Sequence, residues 1–176
     1  MKTLTLLRHA KSGWDDPSLA DVDRPLNDKG RRAARTMGRH LAREGTVFDR
    51  VVASPAVRVA ETLSAIEAAY GRSLAAVVDK RLYLASPTEI MAVVGEQPDT
   101  VDHLLVVGHN PGLEELTLEL AAESDARDAA EAKFPTATLA RLTWDGGWAS
   151  PGRGGATLAC FTRPRDLDPS LGPDED

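Results

Sequence analysis

The sequence of 176 residues, 42% hydrophobic and 27% charged, can enclose one substantial core, and two separate domains would be cramped within it. Of its 27 acidic side chains, set against 21 basic ones, five lie between Asp166 and Asp176 with no lysine or arginine among them, so segment 168–176 reads as a solvated acidic tail behind a single domain over 1–167. The nearly neutral body excludes an electrostatic case for nucleic acid or a membrane surface as partner.

The first element is a short apolar strand over residues 3–7 that runs directly into Arg8 and His9. No long apolar leader precedes it and no later run reaches the length of a membrane span, so a cytoplasmic location is expected. A loop over 11–26, rich in Gly, Asp and Pro, leads to Asn27, a helix N-cap residue. Ala34, Met37, Gly38 and Leu41 then recur at helical spacing until Gly45 stops the helix. Residues 50–53 form a second strand, after which Ser54 and Pro55 supply an N-cap and a first-turn proline. Val59, Leu63, Ile66 and Tyr70 line one face of the helix that follows.

Residues 76–78 predict a third strand, and 87–94 a helix begun by Ser86. The strongest strand signal, 104–107, ends in Gly108 and His109, and Asn110 with Pro111 opens a helix carrying Leu113, Leu116 and Leu120 on a common face. Residues 121–134 have no clear period. Two late strands, 138–144 and 156–162, flank a Gly-rich loop and suit antiparallel pairing. Cys160, the single cysteine, excludes an internal disulfide and a thiolate-rich zinc site. Strands alternating with helices predict a three-layer α/β/α sandwich whose sheet is mostly parallel with an antiparallel edge strand.

Ligands of such a sheet gather beyond the carboxyl ends of the strands. Three strands deliver reactive residues there: Arg8 and His9, then Arg58 in the first turn of a helix, then His109. Arginine grips phosphate oxygens with a planar fork of donors whose charge does not titrate, so Arg8 and Arg58 define a dianion site. A neutral imidazole is a competent nucleophile toward phosphorus, and a second one can donate a hydrogen bond to the transferring group. Phosphoryl transfer relies mostly on positioning and charge stabilisation. No acidic or thiolate neighbour completes a metal-ligand set with His9 and His109, so neither a metal nor another cofactor is expected.

Other residues carry two readings each. Lys11 and Arg24 extend the positive field of the pocket or pair with Asp21 or Asp23; Ser12 donates to a phosphate oxygen or forms a turn. Arg31, Arg35 and Arg39 read as a solvated helix face rather than a docking stripe. Trp144 and Trp148 read as packing residues, and His40 and His103 as surface residues.

Three segments carry a family resemblance: Leu6-Leu7-Arg8-His9-Ala10-Lys11-Ser12, Ser54-Pro55-Ala56-Val57-Arg58-Val59-Ala60-Glu61-Thr62, and Val107-Gly108-His109-Asn110-Pro111. They resemble the signature segments of the histidine phosphatase superfamily, which also contains the cofactor-dependent phosphoglycerate mutases. Asp23-Arg24-Pro25-Leu26 followed by Gly30, then Phe134-Pro135-Thr136, and Thr162-Arg163-Pro164 before Leu167 resemble the small SixA-type phosphohistidine phosphatases. The resemblance implies that His9 is the phosphorylated nucleophile and that Arg8, Arg58 and His109 complete the phosphate pocket. Mutase-like members place a glutamate acid in the stretch that here reads Leu82-Tyr83-Leu84-Ala85-Ser86-Pro87, with no acid before Glu89. Acid phosphatases of the superfamily put Asp where this chain has Asn110. Both departures fit the SixA-like branch.

The expected function is removal of phosphate from phosphohistidine in a protein of a signalling phosphorelay, without a metal. The alternatives are a phosphomonoesterase or mutase-like phosphotransferase acting on a small phosphorylated metabolite, and a phosphate-binding module without turnover. The absent acid, and loops too short for a lid, weigh against the metabolite reading; intact Arg8, His9, Arg58 and His109 weigh against the module.

Overall fold

The computed structural model describes residues 1–173. Its elements in order are β1 (Lys2–Arg8), α1 (Asp28–Glu44), β2 (Arg50–Ala53), α2 (Val57–Tyr70), β3 (Val77–Val78), α3 (Pro87–Gly95), β4 (His103–Gly108), α4 (Gly112–Leu120), α5 (Asp125–Ala132), β5 (Leu139–Trp144), β6 (Thr157–Thr162) and α6 (Pro164–Leu167). Short 3₁₀ turns lie at Asp21–Asp23, Lys80–Leu82 and Pro169–Leu171. Among the described residues the strands form one sheet in the order β3-β2-β4-β1-β5-β6. The first four of these run parallel, while β5 is antiparallel to β1 and β6 pairs antiparallel to β5 at the edge.

Period-two alternation divides the central strands between two cores. Leu4 and Leu6 of β1, with Leu104 and Val106 of β4, pack beneath Ile90, Val93, Leu113, Leu116 and Ala130 of α3, α4 and α5. Leu7, Leu105 and Val107 point the other way, onto Met37, Leu41, Val59 and Ile66 of α1 and α2. Residues buried on both faces explain why β1 and β4 read as continuous apolar runs. The result is the expected α/β/α sandwich. No helix among the described residues is long and apolar enough to cross a membrane.

Local signals set most helix ends. Asn27 accepts from the Gly30 amide at 2.8 Å, and Gly45 closes α1 in the left-handed conformation at φ 67°. Ser86 and Glu89 form a reciprocal capping box on α3. Ser54 departs from expectation: α2 begins at Val57 with Ala56 as its cap residue, which makes no side-chain cap bond. The Ser54 hydroxyl is engaged by a histidine instead.

The segment without a clear period contains α5, whose start Ser124 caps through the Arg127 amide. His103 is half-buried rather than a surface residue; its Nε2 lies 2.8 Å from Thr5 Oγ1. Trp144 and Trp148 are buried edge to face. The tail expected to be solvated is in part docked, since Leu171 is buried in the core on the α1 and α2 side of the sheet and Ser170 Oγ lies 3.1 Å from Arg32 of α1. Residues 174–176 of that tail lie outside the described residues.

Candidate active site

Strand register assembles the site. Arg8 lies opposite Gly108 in the β1–β4 pair, and Ala53 opposite Val107 in the β2–β4 pair. His9 and His109 therefore leave adjacent strands at one level, and Ser54 leaves the third one residue earlier, level with Gly108. Backbone bonds extend the register past the strand ends, from the His9 amide to Gly108 and from the Ser54 amide to Val107, both 3.0 Å. The helices after β1 and β2 cover one face of the sheet and the helix after β4 covers the other. Their divergence between β1 and β4 opens a crevice at the carboxyl edge. The rings of His9 and His109 face each other there, 5.2 Å apart.

Loops are pinned around this point by residues whose purpose is invisible in the linear motif. Thr62 Oγ1 accepts from the Ala10 amide at 2.9 Å, and Glu61 Oε1 from the Leu26 amide at 2.9 Å. The loop after His9 thus hangs from α2. A side chain at Gly30 would place its Cβ 2.1 Å from the Lys11 carbonyl oxygen, so only glycine lets α1 approach that loop. Gly112 plays the same part for α4, with 1.9 Å to the Ala85 carbonyl oxygen. The Phe134 carbonyl accepts from both Arg8 Nη1 (2.8 Å) and Asn110 Nδ2 (3.1 Å), which places the segment from Phe134 to Thr136 beside the site.

A cavity of about 360 Å³ is lined by Arg8, His9, Lys11, Ser12, Trp14, Asp21, Arg24, Arg58, Leu84, His109, Asn110 and Thr136. All four residues expected from sequence to make the phosphate site, Arg8, His9, Arg58 and His109, meet there, and Ser12 with them. His9 Nδ1 donates to the Ala10 carbonyl at 2.7 Å. That bond sets the tautomer, so the lone pair is on Nε2. Burial pushes the ring's pKa down to about 3, and the charges of Arg58 and Arg8 act in the same direction. His9 is accordingly neutral at neutral pH.

His109 Nε2 lies 2.7 Å from Ser54 Oγ, which also accepts from the Ala56 amide at 3.3 Å. Burial, and next the Arg58 charge, lower its pKa to about 4. Its Nδ1 is 3.4 Å from Arg58 Nη2. An arginine N–H only donates, so His109 Nδ1 accepts from it and the ring proton, on Nε2, is donated to Ser54 Oγ. When an anionic oxygen takes the Arg58 N–H and Ser54 turns its own proton onto Nε2, Nδ1 becomes a second donor to that oxygen. Arg58 lines the cavity and is 2% exposed, and its Nε is buried without a partner among the described residues.

Sequence reasoning missed Asp21 as a cavity residue, weighing it only as a partner for Lys11 or Arg24. It accepts from Arg58 Nη2 at 3.0 Å through Oδ2, from Arg24 Nε at 3.1 Å through Oδ1, and from the Tyr83 hydroxyl. The Tyr83 hydrogen bond first, and then those of both arginines, hold its pKa down at about 2 against a smaller opposing effect of burial. Its three-residue spacing from Arg24 was the available signal; Arg58 and Tyr83 are too distant in sequence to give one. Arg24 satisfies both of its readings, since it pairs with Asp21 and lines the cavity, and it also donates to Ser12 Oγ at 2.6 Å. Its guanidinium lies 3.6 Å from the Trp14 ring centroid.

Two neutral buried histidines make stability depend on pH. An unfolded chain takes up a proton at each ring as pH falls below about 6.5, whereas the folded rings resist until about 4 for His109 and about 3 for His9. Stability is therefore lost as pH falls from 6.5 toward 4, by about 2 kcal/mol per ring between pH 7 and pH 5. Urea unfolding at the two pH values measures the loss. Burial holds His103 down to about 4 as well, so His109→Asn is expected to reduce the measured loss by about a third; an undiminished loss in that variant would contradict the assignment of neutral rings.

Comparison with known proteins places these features in a lineage. The histidine phosphatase superfamily (branch 1) family model matches residues 4–83. An uncharacterized protein of Mycobacterium tuberculosis is 39% identical over 164 residues, covering 90% of this chain and all of that protein. SixA from Nakamurella multipartitia, assigned as a phosphohistidine phosphatase, superposes with a TM-score of 0.79 at 33% identity, covering 93% of this chain and 96% of that one. SixA from Agrobacterium tumefaciens, with the same assignment, gives 0.76 at 28% identity over 92% and 97%. By sequence and by fold, the chain belongs to the SixA-type branch of the histidine phosphatase superfamily and is a phosphatase.

Proposed function

We propose that this phosphatase is metal-independent and removes the phosphoryl group from phosphohistidine in a protein of a signalling phosphorelay, in the cytoplasm, through a phosphoryl group carried on His9. The observation that carries this reading is the state of the cavity's acid. Asp21 is the one carboxylate among the described residues that line the cavity, and a pKa of about 2 leaves it ionised at neutral pH. Tyr83, in the stretch where mutase-like relatives place their acid, has its pKa raised by the hydrogen bond to Asp21. Neither group is an effective proton donor to a departing alkoxide. Assignment of the Nakamurella and Agrobacterium SixA proteins as phosphohistidine phosphatases supports the same substrate.

Phosphohistidine does not require that proton. With its second nitrogen protonated, the ring leaves as neutral imidazole, whose conjugate acid has a pKa of about 6.5. In the first step His9 Nε2 bonds to phosphorus while the P–N bond to the substrate ring breaks, the electron pair staying with the departing nitrogen. His9 keeps its Nδ1 proton and becomes a phosphoimidazolium. Water then attacks phosphorus, the bond to Nε2 breaks with its pair returning to His9, and dihydrogen phosphate departs with both protons of the water. Arg8, Arg58 and His109 hold the equatorial oxygens through both transfers.

The test is a comparison of leaving groups. The kcat/KM for a phosphohistidine peptide or for phosphoramidate is expected to exceed that for phosphoserine or phosphoglycerate by at least about 10², the lower end of what general acid catalysis contributes. Aryl phosphates should fall between. Glu89→Gln should leave the order intact, because Glu89 caps α3 and is not among the cavity residues. Equal rates for phosphoglycerate and phosphoramidate would overturn the reading.

A further inference from the structure

Within the cavity, exposure separates floor from rim. His9, Arg58 and His109 are 8%, 2% and 3% exposed, whereas Trp14 and Leu84 are 72% and 56% exposed. In-line displacement sends the leaving group away from the nucleophile, and with His9 at the floor that direction is the mouth, where the two most exposed side chains are large and apolar. We propose that Trp14 and Leu84 form the leaving-group side of the site, the Trp14 indole stacking on the imidazole of phosphohistidine and Leu84 packing on the protein segment that bears it. This rests on the reading of phosphohistidine as substrate and assigns the residues that recognise it.

Both side chains are held ready. Arg24 covers one face of the indole at 3.6 Å, and Arg24 is itself fixed by Asp21 Oδ1, Ser12 Oγ and the Gly13 carbonyl. One indole face is thus braced on a guanidinium while the side chain as a whole stays largely in solvent, a flat surface suited to an offset ring. Leu84 has φ 49°, a left-handed conformation that a bulky residue adopts at a cost. Its neighbours impose it: Tyr83 is tied to Asp21, and the Ala85 carbonyl is pressed against Gly112. An exposed leucine kept in that conformation at the mouth of a phosphate site fits contact with a partner better than it fits a free loop.

Two substrates with the same phosphoryl group and different leaving groups provide the test. A phosphohistidine peptide departs as a ring on a chain; phosphoramidate departs as ammonia. Trp14→Ala and Leu84→Asn are each expected to lower kcat/KM for the peptide relative to phosphoramidate by at least about fivefold, through KM, as the loss of an aromatic or apolar contact predicts. Trp14→Phe should recover most of the Trp14 effect. Asparagine tolerates the left-handed backbone, so Leu84→Asn removes the contact without straining the fold. Inhibition by inorganic phosphate separates recognition from bracing. If Trp14→Ala weakens phosphate binding and both substrates equally, Trp14 acts only through Arg24 and the proposal fails. If the wild type prefers phosphohistidine over phosphoserine but the variants leave the peptide-to-phosphoramidate ratio unmoved, this proposal fails alone. If the wild type has no such preference, the substrate assignment itself fails.

Discussion

His9→Ala is expected to lower kcat by at least about 10⁴-fold, because on the proposed mechanism it removes the atom to which phosphorus is transferred and no neighbouring group replaces it. Binding should survive in part. Arg8, Arg58 and His109 come from three different segments and do not depend on the His9 ring for their positions: Arg8 is held by the Phe134 carbonyl, Arg58 by Asp21 and His109 by Ser54. Inorganic phosphate should therefore still protect the variant against thermal unfolding, which also establishes that it is folded. In the active protein, rapid quenching with a labelled substrate should trap an acid-labile, base-stable phosphoryl group on His9. Label on Ser54 or Cys160, or full turnover in the alanine variant, would eliminate the mechanism.

Arg58→Ala is expected to cost about 10²–10³ in kcat, the loss that follows removal of one preorganised donor at a developing charge. Here the donor does more than bind. Arg58 reaches Asp21 with Nη1 on the carbonyl oxygen at 2.7 Å and Nη2 on the carboxylate at 3.0 Å, and Nη2 also lies 3.4 Å from His109 Nδ1 in the cavity. One planar fork thus spans the loop and the second histidine of the site. Arg58→Lys should recover little, since a single ammonium cannot serve both directions. On the proposed mechanism two arginines take the role a Lewis acid has in a metallophosphatase, so exhaustive chelation should leave the wild-type rate where it was. A rate lost on chelation and restored by a divalent ion would count directly against this account.

Comparing sequence with structure separates two kinds of information. Periodicity and caps are local, and the elements they predict are present: Leu113, Leu116 and Leu120 share a buried face, as do Val59, Leu63, Ile66 and Tyr70. The convergence of Arg8, His9, Arg58 and His109 was legible because each stands at the carboxyl end of a strand or just beyond one, and a parallel sheet brings such ends to one edge. α5 was not legible, since helix formation there rests on the Ser124 cap and on burial of Ala130 rather than on an apolar stripe. Nor was the docking of Leu171, which is buried in the core cluster on the α1 and α2 side of the sheet.

What the sequence by itself determined is the fold class, the strand-end residues and the family, all of which depend on short-range pattern. Only the tertiary structure decided how the polar groups are used. Ser54 was eligible to cap a helix or to bond a ring, and the register of β2 against β4 settled it by placing the hydroxyl 2.7 Å from His109. Asp21 was eligible to pair with Arg24 alone, until folding brought Arg58 and Tyr83 onto the same carboxylate. A hydrogen bond depends on distance in space and carries no period along the chain, so the ionised acid and the neutral histidines of this cavity emerge only when the loops are closed around them.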